Sequence, residues 1–344
     1  MKTNKTISLV AGKSAGHILP ALTVAQKLKT LDPDLNVIFF SNQNQLDQTI
    51  LNNHKLVNIN ISLPLMALPY KQIYKLPKFA WQLLRAMWRS YQILKKHQPS
   101  QIISTGGLIA IPVCLVAKHL NIPVTIYELN VYPGKATKFL VTVANNVKIC
   151  FAKTAQYLPK TKCELVSYPI RFEPQDYSLT KNQALELIKP NSQNFTLSNK
   201  TILILGGSQG SLFINDLIRQ FILKQPNISL QTIHQTGTQD QFDWNSFYQS
   251  QNIPAIVFSY ESDLMKYYTL ADLIICRSGA GTLAEIIPLK TACITIPLAT
   301  GYTAHQIDNA LATAQDHPQI CVLQQNQIAQ DFNLFYDLVN LLLN

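Results

Sequence analysis

The sequence predicts an α/β protein made of two doubly wound, Rossmann-like domains that face each other. Three observations carry this expectation. The chain has 344 residues, too many for one ordinary domain and enough for two of about 150 to 170. Short continuous apolar runs alternate with helical patterns along its whole length, as strands buried on both faces of a parallel sheet do. The rhythm then restarts at Thr201, after a stretch with two prolines, SYPIRFEPQ (167–175), and a polar stretch, PNSQNFTLSNK (190–200).

In chain order the strand-like runs are 6–11, 37–40, 101–104, 124–128 and 147–151 in the first half. The second half has 201–205, 229–234, 255–258, 272–276, 292–296 and 320–323. A hinge is expected near Tyr168–Pro169, which gives domains 1–168 and 169–326. Residues 327–343 read as a helix with no strand after it, and the segment 327–344 is a candidate to pack back on the first domain.

Composition narrows the class. The six cysteines (114, 150, 163, 276, 293, 321) form no CxxC pair and read as buried thiols of a reducing compartment. The N-terminal apolar run is too short for a signal peptide, and the longest apolar stretch, 108–117, is far short of a membrane span, so a cytosolic protein is expected. Charge is unevenly distributed: residues 1–168 carry 20 Lys or Arg against 5 Asp or Glu, and residues 169–344 carry 9 against 14. Between Gln48 and Tyr127 there are nine basic residues and no acid. The first half therefore seeks an anionic partner, with nucleic acid and an anionic membrane surface as the two candidates.

Glycine is scarce, 12 residues in 344 against an ordinary 7% or so, and nearly every one follows a predicted strand. That edge of an open α/β sheet is where ligands bind, and glycine there lets backbone N–H groups approach an anion. The first such loop is GKSAGHILPA (12–21). TILILGGSQGS (201–211) is a cradle for a diphosphate in which Ser208 offers a hydroxyl; it is neither a P-loop nor a GxGxxG. LIICRSGAGTLAEI (273–286) repeats the design, with Glu285 placed to accept ribose hydroxyls or, alternatively, only to favour a helix dipole. In TGYTAHQIDNA (300–310), Gln306 and Asn309 are candidates for sugar hydroxyls.

Taken together, GKSAGHILPA, STGG (104–107), ELNVYPG (128–134), YPIR (168–171), GGSQGS, HQTG (234–237), CRSGAGTLAE (276–285) and HQIDNA (305–310) resemble the MurG family. These are the transferases that move N-acetylglucosamine from UDP-N-acetylglucosamine to the undecaprenyl-diphosphate-linked muramyl-pentapeptide of peptidoglycan synthesis. The resemblance spans residues 6 to about 315. It implies a GT-B fold, inverting transfer without metal or other cofactor, and work at the cytoplasmic face of the bacterial inner membrane as a peripheral protein. It implies donor contacts at Ser14, Ala15, Gly16, Asn130, Arg171, Ser208, Ala280, Gly281, Thr282, Leu283, Ala284, Glu285 and Gln306, with a uracil contact through the backbone near Glu261. The sequence departs from the family pattern at Lys13, Ala15, Leu108, Leu129, Gly281 and 303–305, several of these changes falling on the first glycine loop and the acceptor side. A related transferase acting on another lipid, such as diacylglycerol, is the alternative.

His17, after the first glycine loop, is the candidate general base, since a neutral imidazole suits that task. The competing reading is a helix N-cap neighbour with no chemistry. Glu128 is a second candidate base, an orienting group, or a strand-end carboxylate paired with a lysine. Between the anionic partners, the membrane is favoured, because no nucleic-acid module is recognisable. On residues 70–96, Trp81, Leu84, Trp88, Tyr91 and Lys95 share a helical stripe flanked by Arg85, Arg89 and Lys96, a pattern suited to an anionic interface. A core-packed helix with a solvated basic face is the other reading, and a non-catalytic nucleotide-sugar or nucleic-acid-binding protein is the other class of function.

Overall fold

The computed structural model describes residues 5–12, 14–42, 45–52, 55–70, 72–158, 163–189, 194–207, 210–225, 229–298 and 305–344. The chain forms two compact units, Met1–Arg171 and Phe172–Asn344. The division lies three residues beyond the predicted hinge. Phe172 is the first side chain to enter the second core, where its ring meets Tyr177 and Tyr268 edge-on.

The first unit is built on a seven-stranded sheet, all of whose strand pairs are parallel. Its strands are β1 (Thr6–Val10), β2 (Asn36–Asn42), β3 (Ile59–Leu63), β4 (Ile102–Ser104), β5 (Val124–Glu128), β6 (Asn146–Ile149) and β7 (Cys163–Leu165), in the order β3-β2-β1-β4-β5-β6-β7. Val10 pairs with both Phe40 and Ser104, so β1 and β4 end level at the point where the strand order reverses. Every residue of β1 is buried, with a separate apolar core on each side of the sheet.

The second unit repeats the plan with six parallel strands. They are β8 (Lys200–Leu205), β9 (Leu230–Gln235), β10 (Ala255–Phe258), β11 (Leu273–Cys276), β12 (Ala292–Thr295) and β13 (Ile320–Val322), in the order β10-β9-β8-β11-β12-β13. The C-terminal helix Asn333–Leu343 buries Phe335, Val339 and Leu343 in this unit's core, with Phe335 6.1 Å from the Phe221 ring. This corrects the expectation that the segment returns to the first domain: its apolar stripe is already covered by the helix Leu212–Lys224 and the sheet.

The long helix Leu76–His97 connects β3 to β4. It buries a stripe of Ala86, Ser90 and Leu94, at the four-residue spacing of one helical face. Trp81, Leu84 and Trp88 point outward and are more than 60% exposed. The predicted stripe therefore divides. Tyr91 packs against the first core, with Lys95 Nζ 5.4 Å from its ring. No helix among the described residues is long and apolar enough to cross a membrane.

Candidate active site

In the first unit the site is built where β1 and β4 end. Ser14 caps the helix Ala15–Leu31 from extended backbone, and its carbonyl accepts from the N–H groups of His17 and Ile18. His17 is thus fixed on the first turn. Its Nδ1 lies 2.8 Å from the Thr105 carbonyl oxygen, while the Thr105 hydroxyl donates to the His17 carbonyl at 2.7 Å. A carbonyl can only accept, so Nδ1 carries a proton, and Nε2 is the nitrogen that bears the lone pair in the neutral form. Two glycines make this approach possible. Gly106, at φ +118°, faces the imidazole so closely that a Cβ would stand 2.9 Å from it. Gly107, at φ +94°, faces Gly12, and a Cβ there would stand 2.9 Å from the Gly12 carbonyl oxygen.

Glu128 ends β5 and is 3% exposed. Its Oε1 accepts from the Asn130 backbone N–H and side-chain amide, and its Oε2 accepts from the Gly134 N–H. The carboxylate thus orders the loop 128–134 and fixes the Asn130 amide. The Asn130 carbonyl in turn accepts from the Thr154 hydroxyl. Arg171 is half-buried at the end of the first unit.

In the second unit, Gly206 and Gly210 permit a turn that no side chain would fit. A Cβ on Gly206 would meet the Ser211 nitrogen at 2.5 Å, and one on Gly210 the Thr236 carbonyl oxygen at 2.4 Å. Ser208 lies outside the described residues, as do Lys13, Thr303 and Ala304. Ser211 caps the following helix. It also receives a 2.7 Å hydrogen bond from Arg277 Nη2, while Arg277 Nη1 donates to the Ile296 carbonyl and to Gln325 Oε1. Arg277 thereby ties together the loops that follow β8, β11, β12 and β13. Burial pushes its guanidinium down to about 10, which leaves it charged at neutral pH. The next residue, Ser278, is fully buried, and its hydroxyl has no hydrogen-bond partner among the described residues.

The HQTG motif is structural. His234 is fully buried, with Nε2 3.1 Å from Asn215 Oδ1 and Nδ1 2.9 Å from the Tyr248 hydroxyl. Asn215 spends its amide donors on the Thr236 carbonyl and on Asp240, so His234 Nε2–H donates and Nδ1 accepts from Tyr248. Burial drives the His234 pKa down from 6.5 to about 3. A histidine that stays neutral when folded takes up a proton on unfolding, so its contribution to stability is complete above about 6.5 and is lost as pH falls toward about 3. In urea unfolding series from pH 7 to 4, wild type is expected to lose stability with a slope from this group approaching about 1.4 kcal/mol per pH unit. His234→Gln should start lower at pH 7 and fall less steeply. Parallel curves for the two proteins would refute the assignment.

The remaining donor-side candidates divide between the units: Ser14, Ala15, Gly16, Asn130 and Arg171 belong to the first, and Glu261, Ala280–Glu285 and Gln306 to the second. Ala280, Gly281, Thr282, Leu283, Ala284 and Glu285 lie on the short helix Ala280–Ile286, entered through Gly279 after β11. Tyr268, 1% exposed, donates its hydroxyl to Glu285 Oε2 at 3.0 Å, and Tyr177 donates to the Glu285 carbonyl. Gln306 Oε1 accepts from the Leu298 N–H at 3.0 Å, which anchors it beside the end of β12. Glu261 Oε1 accepts from the Asp263 N–H, and Lys266 stands 3.8 Å from Oε2. Sequence reasoning missed Arg277 and Thr105, although both sit inside the quoted motifs; a lone arginine closing the apolar run LIIC was the available signal. Among the described residues no group of three His, Cys, Asp or Glu is arranged to hold a metal ion.

Comparison with known proteins places this geometry. Residues 7–149 match the glycosyltransferase family 28 N-terminal domain, and residues 201–340 match the glycosyltransferase family 28 C-terminal domain. The chain is 33% identical over 312 residues to the UDP-N-acetylglucosamine–N-acetylmuramyl-(pentapeptide) pyrophosphoryl-undecaprenol N-acetylglucosamine transferase of Protochlamydia amoebophila, covering 89% of this chain and 80% of that one. It is 31% identical to the protein of the same name from Crocosphaera subtropica, with 98% and 89% covered. Among solved structures, the Acinetobacter baumannii MurG crystal structure aligns with a TM-score of 0.73 at 24% identity, covering 98% and 91%. The kitacinnamycin glycotransferase aligns at 0.68 and 13%, with the same shares covered. These two similarities bear on the fold, which is that of GT-B glycosyltransferases.

Proposed function

The chain belongs to the MurG family of glycosyltransferases, and from that premise we propose that it transfers N-acetylglucosamine from UDP-N-acetylglucosamine to the undecaprenyl-diphosphate-linked muramyl-pentapeptide. The observation that supports the mechanism is the 2.8 Å contact between His17 Nδ1 and the Thr105 carbonyl, which keeps a proton on Nδ1, so that in this reading Nε2 accepts the proton. In this reading the acceptor's sugar hydroxyl attacks the donor's anomeric carbon, its proton passes to His17 Nε2, and UDP departs with inversion. Glu128 orients Asn130. The leaving diphosphate is met by the loops that carry Ser208 and Ala280–Glu285 and by Arg171, with Arg277 holding the second unit's loops in place. Glu285 takes the ribose, Gln306 the transferred sugar, and the backbone near Glu261 the uracil.

The deciding experiment is a radiolabelled transfer assay with UDP-N-acetylglucosamine and either the lipid-linked muramyl-pentapeptide or diacylglycerol. Label in the first lipid alone is the expected result. Label in diacylglycerol alone would overturn the acceptor, and label in neither would overturn the reaction.

The first unit is the acceptor and membrane-associating domain in this proposal, working at the cytoplasmic face of the inner membrane. Support comes from the segment 70–89. Tyr70, Ile73, Tyr74, Trp81, Leu84 and Trp88 are all exposed, beside Lys75, Lys78, Arg85 and Arg89. Each basic residue near an anionic bilayer contributes about 1 kcal/mol, reduced by salt. Co-sedimentation should therefore rise with phosphatidylglycerol content, fall with ionic strength, and drop sharply for Trp81→Ser with Trp88→Ser. Binding indifferent to all three would reject the surface.

A further inference from the structure

We propose that Asp47 is a positioning residue for glycosyl transfer, acting through Gly12 on the loop that carries His17. Asp47 lies in the first turn of the helix Gln45–Asn52 and is completely buried, although the unit around it is strongly basic. A buried carboxylate is costly unless its oxygens are paired or hydrogen-bonded. Its Oδ2 accepts from the Asn42 N–H at 3.2 Å, at the end of β2. The same Oδ2 lies only 3.0 Å from where a Cβ on Gly12 would stand, and Asn42 Nδ2 only 2.8 Å from that point. Asp47 and Asn42 therefore leave no room for a side chain at Gly12 and lie close over it. Gly107 also faces it: a Cβ on Gly107 would stand 2.9 Å from the Gly12 carbonyl oxygen.

These close approaches bring together residues that end or follow three neighbouring strands. β2 supplies Asn42 and leads to Asp47, β1 leads to Gly12 and His17, and β4 leads to Thr105, Gly106 and Gly107. Thr105 fixes the His17 ring in one direction. Asp47 fixes the backbone from which the His17 helix starts. A loop so confined holds Nε2 in one place, and a displacement of about 1 Å at such a group costs up to about 10²-fold in rate. The carboxylate works here as an acceptor of fixed shape, so its neutral amide isostere, which keeps an oxygen for the Asn42 N–H, should serve nearly as well.

This inference rests on His17 as the base, so His17→Ala is assayed alongside. Asp47→Ala is expected to lower kcat by at least about ten-fold, with UDP binding to the second unit unchanged by calorimetry. Asp47→Asn is expected to restore most of the rate. Gly12→Ala should reproduce the Asp47→Ala defect, and the double variant should be no slower than the worse single one. The ¹⁵N shifts of the His17 imidazole should move in Asp47→Ala and return in Asp47→Asn. If Asp47→Ala lowers melting temperature yet leaves kcat and the His17 shifts at wild-type values, Asp47 is only a stabilising residue and the proposal falls. It also falls if Asp47→Asn is as slow as Asp47→Ala. Should Asp47→Ala fail to fold, Gly12→Ala and Asp47→Asn carry the test through the same shifts. A normal rate for His17→Ala would instead remove the base assignment itself.

Discussion

His17→Ala is expected to lower kcat by about 10² to 10⁴-fold while changing UDP affinity little, because the imidazole belongs to the first unit and the groups assigned to ribose and uracil, Glu285 and the backbone near Glu261, belong to the second. The size follows from the lost role. In the proposed mechanism a base held in one tautomer by the Thr105 carbonyl takes the proton at Nε2, whereas alanine leaves that proton to water. Protonation of Nε2 would abolish the lone pair, so the wild-type rate should fall on the acid side and that limb should vanish in the variant. Gly106→Ala gives an independent check. Gly106 sits at φ +118° with the imidazole against it, so a methyl group there must both strain the backbone and push the ring aside. It should slow wild type but add little to His17→Ala. Wild-type turnover in His17→Ala, with the acid limb intact, would transfer the base role to another group, with Glu128 the first to test.

Glu285→Ala is expected to weaken UDP binding by about 1.5 to 3 kcal/mol, or roughly 10- to 150-fold in Kd. A carboxylate that accepts from ribose hydroxyls makes charge-assisted bonds, which exceed neutral ones. The buried Tyr268 hydroxyl on its Oε2 and Tyr177 on its carbonyl hold Glu285 in place. Glu285→Gln should lose part of the affinity, since the amide keeps one acceptor. Tyr268→Phe should lose less than Glu285→Ala, because it removes only the group that aims the carboxylate. Calorimetry on folded Glu285→Ala showing unchanged UDP affinity would reject the ribose assignment.

The strands were legible where they are buried on both faces. TISLV and LIIC are continuous apolar or small runs because β1 and β11 lie in sheet interiors. The two strands absent from the sequence reading, β3 and β7, are the two edges of the first sheet. β3, INISL, has polar residues in its second and fourth places, and β7, CEL, exposes two of its three residues. An edge strand is partly solvated, so the continuous apolar signal is diluted. The site was legible through its glycines, because close backbone approach demands them at 106, 107, 206 and 210. Its partners were not. The group that sets the His17 tautomer is a backbone carbonyl, which any residue at position 105 would supply. The contacts of Arg277 come from Ser211, Ile296 and Gln325, brought together only by the fold.

The helix Leu76–His97 has a further consequence for anyone preparing this protein. It is the crossover that carries the chain from β3, at one edge, to β4 beside β1. It ends in a left-handed cap at Gln98, shortly before the strand that leads into Thr105. Excising residues 70–97 to obtain a detergent-free enzyme would thus sever the only connection that lets β4 pair with β1, and with it the seat of His17. Polar replacements confined to Trp81, Leu84 and Trp88 should reduce surface stickiness and leave the Ala86, Ser90 and Leu94 seam, and hence turnover on a short-chain acceptor, intact.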